Sequence, residues 1–198
     1  MYIPKYFEQK DNEKSIAFMR AYNFALLVSV KEDLPIATHL PFVIEEKDNI
    51  IILTSHLSKA NEQWKTFADK EVLIVFAEPH AYISPTLYET KQNVPTWNYI
   101  AVHAYGKIKI LNSNEEKLKV LHKQMQTFEA DYIEQFKNLD NKYIDGLLKG
   151  IVAFEIIVTD LQSKEKLSQN KTANERNNIK QHLLDSDDNV KKKVGEQM

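Results

Sequence analysis

Where one strand-like run ends, the chain gathers hydroxyl groups and a lysine. The segment Leu53-Thr54-Ser55-His56-Leu57-Ser58-Lys59-Ala60-Asn61 brings hydroxyls, an ammonium group and the first amides of an expected helix to one corner. Oriented donors beside the partly positive end of a helix suit a phosphate, and each charge-assisted hydrogen bond there is worth about 1.5 to 3 kcal/mol. The same residues equally suit plain helix capping by Ser58 with Lys59 in solvent. No glycine-rich phosphate loop accompanies them, so residue type alone leaves both readings open.

A second concentration runs from Glu78 to Tyr99, EPHAYISPTLYETKQNVPTWNY. Pro79, Pro85 and Pro95 stiffen it, while His80, Tyr82, Tyr88, Trp97 and Tyr99 supply flat surfaces with polar tips. Such a stretch can hold a planar ligand or form a packed hairpin excursion. Four histidines, His39, His56, His80 and His103, fall on or beside predicted strands. They form no HExxH or HxH pair, so no metal site is assigned, although one of them could serve as an axial haem ligand. No GxSxG elbow accompanies them, and no catalytic set is identified.

The positively charged stretches Lys164 to Lys171 and Lys191 to Lys193 contain or adjoin acids and read as solvated surface. The whole chain of 198 residues carries 26 basic and 28 acidic side chains, a net charge of -2, which gives no global pull toward nucleic acid. With 43% hydrophobic residues it can bury a sizeable core, and without cysteine it has neither disulfides nor thiolate chemistry. No run approaches the roughly 18 apolar residues of a membrane span. The expectation is a cytoplasmic protein with no membrane partner.

The elements that must position these residues follow from periodicity. Asp11 caps a helix from Asn12 to about Tyr22. Strands are predicted over Phe24–Val30, Leu34–Glu45, Ile50–Thr54, Glu71–Phe76, Ile100–Leu111 and Ile151–Leu161, with Gly106 as a bend. A helix is predicted from Ser58 or Lys59 to Phe67. The longest helix begins at a Ser113/Glu116 capping box and runs on toward Phe136, and a short helical piece spans Tyr143 to Lys149. Short turns between the first strands require antiparallel pairing. The fold class is therefore mainly β with inserted helices, a six-stranded antiparallel barrel, closed or partly split. The organisation is a barrel domain over residues 1–171 and a polar tail over 172–198, helical around Glu175 to Leu184 and frayed beyond.

Six ordered motifs, MYIPKYF at the start, ATHLPF from Ala37, SHLSKANEQW from Ser55, PHAYISP from Pro79, VPTWNY from Val94 and KLSQNK from Lys166, closely resemble the PaiB family of FMN-binding negative transcriptional regulators. The resemblance implies a split β-barrel of the pyridoxamine-phosphate-oxidase-like type and a homodimer with FMN as cofactor. It implies that Thr54, Ser55, Ser58 and Lys59, with Asn61 in the same corner, meet the FMN phosphate. It further implies that Thr38, His39, Leu40, Pro41 and Phe42 lie along the isoalloxazine and that Trp97 and Tyr99 close the pocket. Lys166 and Gln169 join the set through the KLSQNK match. The implied function is transcriptional regulation with a DNA or protein partner. Flavin-dependent oxidation of a small substrate and haem binding or degradation are the alternatives.

Overall fold

The computed structural model describes residues 1–68 and 70–198. Seven strands are present among them: β1 (Phe24–Lys31), β2 (Leu34–Pro41), β3 (Val43–Lys47), β4 (Ile50–Ser58), β5 (Glu71–Ile83), β6 (Thr96–Leu111) and β7 (Ile151–Lys166). The helices are α1 (Asn12–Ala21), α2 (Asn114–Phe128), α3 (Tyr132–Lys137), α4 (Asn141–Lys149), α5 (Ala173–Leu184) and α6 (Asn189–Glu196). The strand order is β2-β1-β5-β6-β7-β4-β3. Two compact units divide the chain: residues 1–15, 77–102 and 162–198 form the first, and 16–76 and 103–161 the second.

The strand count of six is corrected to seven because the predicted strand Leu34–Glu45 breaks at Phe42. Pro41 has no amide hydrogen with which to continue a ladder. The Phe42 amide instead donates to the Asn23 carbonyl at 2.8 Å. β2 and β3 then lie at opposite ends of the strand order, yet one residue joins them. Within the second unit a ladder can meet that condition only by curling on itself, and the result is the split barrel. Ser55 on β4 fastens the seam by donating to the Pro41 carbonyl at 2.7 Å.

Alternation explains what fills this curl. On β1, Ala25, Leu27 and Ser29 are buried while Phe24, Val30 and Lys31 are exposed, and β4 buries Leu53, Ser55 and Leu57. Two edge-on aromatic pairs lie in the core, Phe42 with Phe76 at 6.0 Å and Phe67 with Phe154 at 5.5 Å between ring centres. Gly106 is neither turn nor bulge. A Cβ there would stand 2.5 Å from the Ile157 carbonyl oxygen, so the missing side chain permits close approach of β6 and β7.

Several boundaries move. The helix predicted from Ser113 has its capping box, with Ser113 accepting from the Glu116 amide, but it stops at Phe128 and restarts as α3. The expected fraying beyond Asp185 is also corrected. In the first unit Thr172 and Glu175 form a second capping box, and α5 and α6 bury Ile179, Leu183 and Val194 completely. A polar composition hid the narrow apolar stripe that two short helices need.

Candidate functional site

The corner after Leu53 is built differently from its sequence reading. β4 continues to Ser58, and the helix expected from Ser58 to Phe67 is a five-residue 3-10 turn, Glu62–Thr66, capped by Asn61. The Asn61 side chain accepts from the Gln63 amide at 3.1 Å. The backbone amides are already engaged: Lys59 donates to Gly150, Ala60 to the Ser58 hydroxyl, and Asn61 to Ser58. A helix-end field therefore contributes nothing here, and any anion must be held by side chains.

Lys59 is the side chain so placed. Its amide donates to the Gly150 carbonyl at 2.8 Å and its carbonyl accepts from the Trp64 indole at 3.1 Å. Both backbone ends are fixed, while its exposed ammonium has no partner among the described residues. The nearest acid in sequence, Glu62, is taken up by Lys65 at 2.5 Å, which holds its carboxyl below the usual range. A pocket of about 170 Å³ opens beside Lys59, with Trp64, Asn112 and Lys117 in its wall. The Trp64 N–H is spent on Lys59, so the donors left to the pocket are two ammonium groups, of which Lys117 also reaches the Leu148 carbonyl at 2.9 Å, and the Asn112 amide, a set that fits a phosphomonoester.

Strand periodicity separates the remaining hydroxyls. Ser55 faces the barrel seam, while Thr54 faces the opposite side of β4 with His56 and Ser58. Thr54 is fully buried and its hydroxyl has no hydrogen-bond partner. Leu40 on β2 and Phe42 just after it are buried, whereas His39 is exposed and stacks on Phe24 at 5.9 Å. Pro41 is half-buried beside it. Of Thr38 to Phe42, His39 is exposed and Thr38 and Pro41 are half-buried, so these leave side-chain surface for a ligand to cover.

Thr38 belongs to a network that the sequence did not single out, centred on Gln63. This buried side chain donates to Leu27 O at 3.1 Å, Ser29 Oγ at 3.1 Å and Ile36 O at 3.2 Å, and accepts from Thr38 Oγ1 at 2.5 Å. Asn61 Nδ2 donates to the same Thr38 oxygen at 2.8 Å. One glutamine thus ties the β1–β2 hairpin to the Lys59 corner. A polar residue four places before a buried aromatic was the only signal.

Behind β4, His56 Nδ1 lies 2.7 Å from Gln124 Oε1 on α2. Burial pushes the His56 imidazole below its ordinary value of 6.5, against the opposing effect of that hydrogen bond. Burial lowers His103 in the same direction. Near pH 6.5 the unfolded chain takes up these protons and the folded chain does not, so stability is complete above that pH and falls as the pH drops below it. Thermal melts between pH 7.5 and 5.5 are expected to show a decline that His56→Gln reduces. An identical decline in the variant would refute this origin.

In the first unit, Trp97 is half exposed and meets His80 at 5.8 Å and Tyr82 at 5.9 Å. Lys164 Nζ lies 5.1 Å over the Tyr99 ring. The Glu78–Tyr99 stretch is strand at both ends, since β5 extends to Ile83 and β6 begins at Thr96. Lys166 donates to Thr96 Oγ1 and to the Trp97 carbonyl, the latter at 2.9 Å. Gln169 spends both ends of its amide locally, accepting from Leu167 N at 2.8 Å and donating to Glu165 O at 2.6 Å. Among the described residues no cluster of three or more metal-ligating side chains occurs.

Comparison with known proteins adds three kinds of finding. A family model described as "Putative FMN-binding domain" matches residues 1–160. The protease synthase and sporulation protein PAI 2 of Bacillus subtilis is 38% identical over 201 aligned positions, covering 100% of this chain and 96% of that protein. Among solved structures, the flavocytochrome Anf3 of Azotobacter vinelandii shares the fold with a TM-score of 0.67 at 15% identity, covering 83% of this chain and 72% of that one. An FAD and heme binding protein of Mycobacterium smegmatis does so with a TM-score of 0.65 at 12% identity, over 85% and 78%.

Proposed function

Since this chain belongs to the PaiB family of FMN-binding proteins, we propose that it is a dimeric flavin-binding regulator of transcription whose FMN phosphate is held at the Lys59 corner. FMN is the cofactor. Bound FMN supplies one- and two-electron redox chemistry, and the chain's own residues bind and orient it. The observation that carries the placement is the Lys59 ammonium, fixed at both backbone ends, lacking a carboxylate partner among the described residues, and opening on a pocket shared with Trp64, Asn112 and Lys117. Ser58 adds a hydroxyl beside it. The exposed edge of β2, at His39 and Pro41, is proposed to lie along the isoalloxazine.

Lys59→Met is expected to weaken FMN binding about ten- to a hundredfold, the equivalent of one charge-assisted contact of about 1.5 to 3 kcal/mol. Fluorescence quenching of FMN on titration with protein measures this. An unchanged dissociation constant moves the phosphate elsewhere.

The dimer reading is supported by the outer face of β1, where Phe24 and Val30 are 65% and 43% exposed. A solution mass equal to one chain at micromolar concentration would remove the dimer from the proposal. The regulatory role is supported by the full-length similarity to PAI 2. Transcript levels unchanged on deletion would remove it.

A further inference from the structure

A separate pocket of about 230 Å³ lies wholly within the first unit, where the KLSQNK segment meets the Asn93–Asn98 stretch. None of its ten lining residues is acidic, and two are lysines, Lys166 and Lys171. Both ammonium groups have only neutral partners among the described residues. Lys166 donates to Thr96 Oγ1 and Trp97 O, while Lys171 donates to Asn93 Oδ1 at 2.7 Å and stands 3.8 Å over the Tyr88 ring. Burial, reinforced by nearby Lys164, lowers the Lys166 ammonium from its ordinary range. Two partly desolvated cations without a counter-ion are unfavourable by themselves, and an entering anion reverses the balance.

The backbone is shaped to bring these groups together. Ser168 adopts a φ of 60°, in the left-handed region that non-glycine residues seldom occupy. Its hydroxyl exchanges hydrogen bonds with the fully buried Asn98 amide, at 3.0 and 3.1 Å. The reversal held at Ser168 places Lys166 on one side of the turn and Lys171 on the other, both lining the same pocket. The neutral contacts hold both ammonium groups at the pocket without supplying a counter-charge.

We propose that this pocket is an oxyanion-binding site, additional to the flavin phosphate site, for a small ligand carrying a phosphate or carboxylate group. Lys166 and Lys171 neutralise the group, and the Thr96 hydroxyl and the Asn170 amide supply directional contacts, while Asn93, its amide hydrogens spent on Thr90, holds Lys171 in place. The Tyr88 ring walls one side. The proposal does not depend on the flavin reading.

Calorimetric titrations with inorganic phosphate and with acetate, at fixed ionic strength, test it on FMN-saturated and flavin-free protein. Saturable binding of one anion per chain is expected in both, and the tighter anion identifies the group recognised. Lys171→Met is expected to weaken it at least tenfold while FMN affinity is unchanged. Asn93→Asp, which sets a carboxylate against Lys171, gives the same loss with little change of shape and serves should Lys171→Met fail to fold. Absence of saturable binding of either anion, equal binding by folded variants, or displacement of FMN by the anion would each overturn the proposal. The last outcome would assign the pocket to the flavin itself, whereas failure of the protein to bind FMN leaves the anion titration as decisive as before.

Discussion

Phe42→Ala is expected to lower the unfolding free energy by about 3 to 5 kcal/mol, the usual cost of truncating a fully buried phenylalanine, while the folded fraction keeps its affinity for FMN. Phe42 has no exposed surface, and its ring meets Phe76 edge-on at 6.0 Å. It also occupies the one residue that joins β2 to β3, the two ends of the strand order. Removing the ring therefore empties core volume at the point where the barrel must close. Urea denaturation followed by circular dichroism gives the free energy, and flavin fluorescence gives the affinity at low denaturant. A variant that stays within about 1 kcal/mol of the parent but loses FMN would return Phe42 to the flavin site, where the family resemblance puts it.

Gln63→Leu is expected to cost about 3 kcal/mol. The substitution keeps the approximate volume but removes donors from Leu27 O, Ser29 Oγ and Ile36 O and an acceptor from Thr38 Oγ1. Each buried polar group left without a partner costs about 1 to 3 kcal/mol, but Ser29 and Thr38 retain contacts to Thr66 and Asn61. The two carbonyls keep their ladder partners as well, so the penalty comes from losing four buried contacts at once rather than from a fully orphaned group. Hydrogen exchange is expected to accelerate across the β1–β2 hairpin and leave α5 and α6 unchanged. Uniform acceleration over the whole chain, or a cost below about 1 kcal/mol, would show that Gln63 does not hold the hairpin.

These two residues were read differently from the sequence. Phe42 sat inside a recognisable motif, and the family resemblance placed it along the isoalloxazine. Alternation along β2 and the break at Pro41 turn it inward instead. Gln63 sat inside another motif and attracted no notice. Its importance arises from carbonyls 27 to 36 residues away in the chain, and no local pattern reports such partners. Lys59 entered the candidate set through an expected α-helix end and through the family resemblance. The helix is a short 3-10 turn, so the proposed role of Lys59 rests instead on a fixed backbone and an ammonium without a partner among the described residues.

The sequence by itself determined the family, the mainly antiparallel strands, the Ser113 capping box and the segments that bear ligand-competent side chains. All of these are encoded in spacings of a few residues or in ordered motifs, so they survive being read along a line. Tertiary structure alone decided that β2 and β3 are separate strands at opposite edges, and that α5 and α6 bury a core of their own. It alone decided that Lys166 and Lys171 share a pocket without an acid. Burial and charge compensation depend on groups brought together from distant parts of the chain, and only the folded backbone fixes which those are.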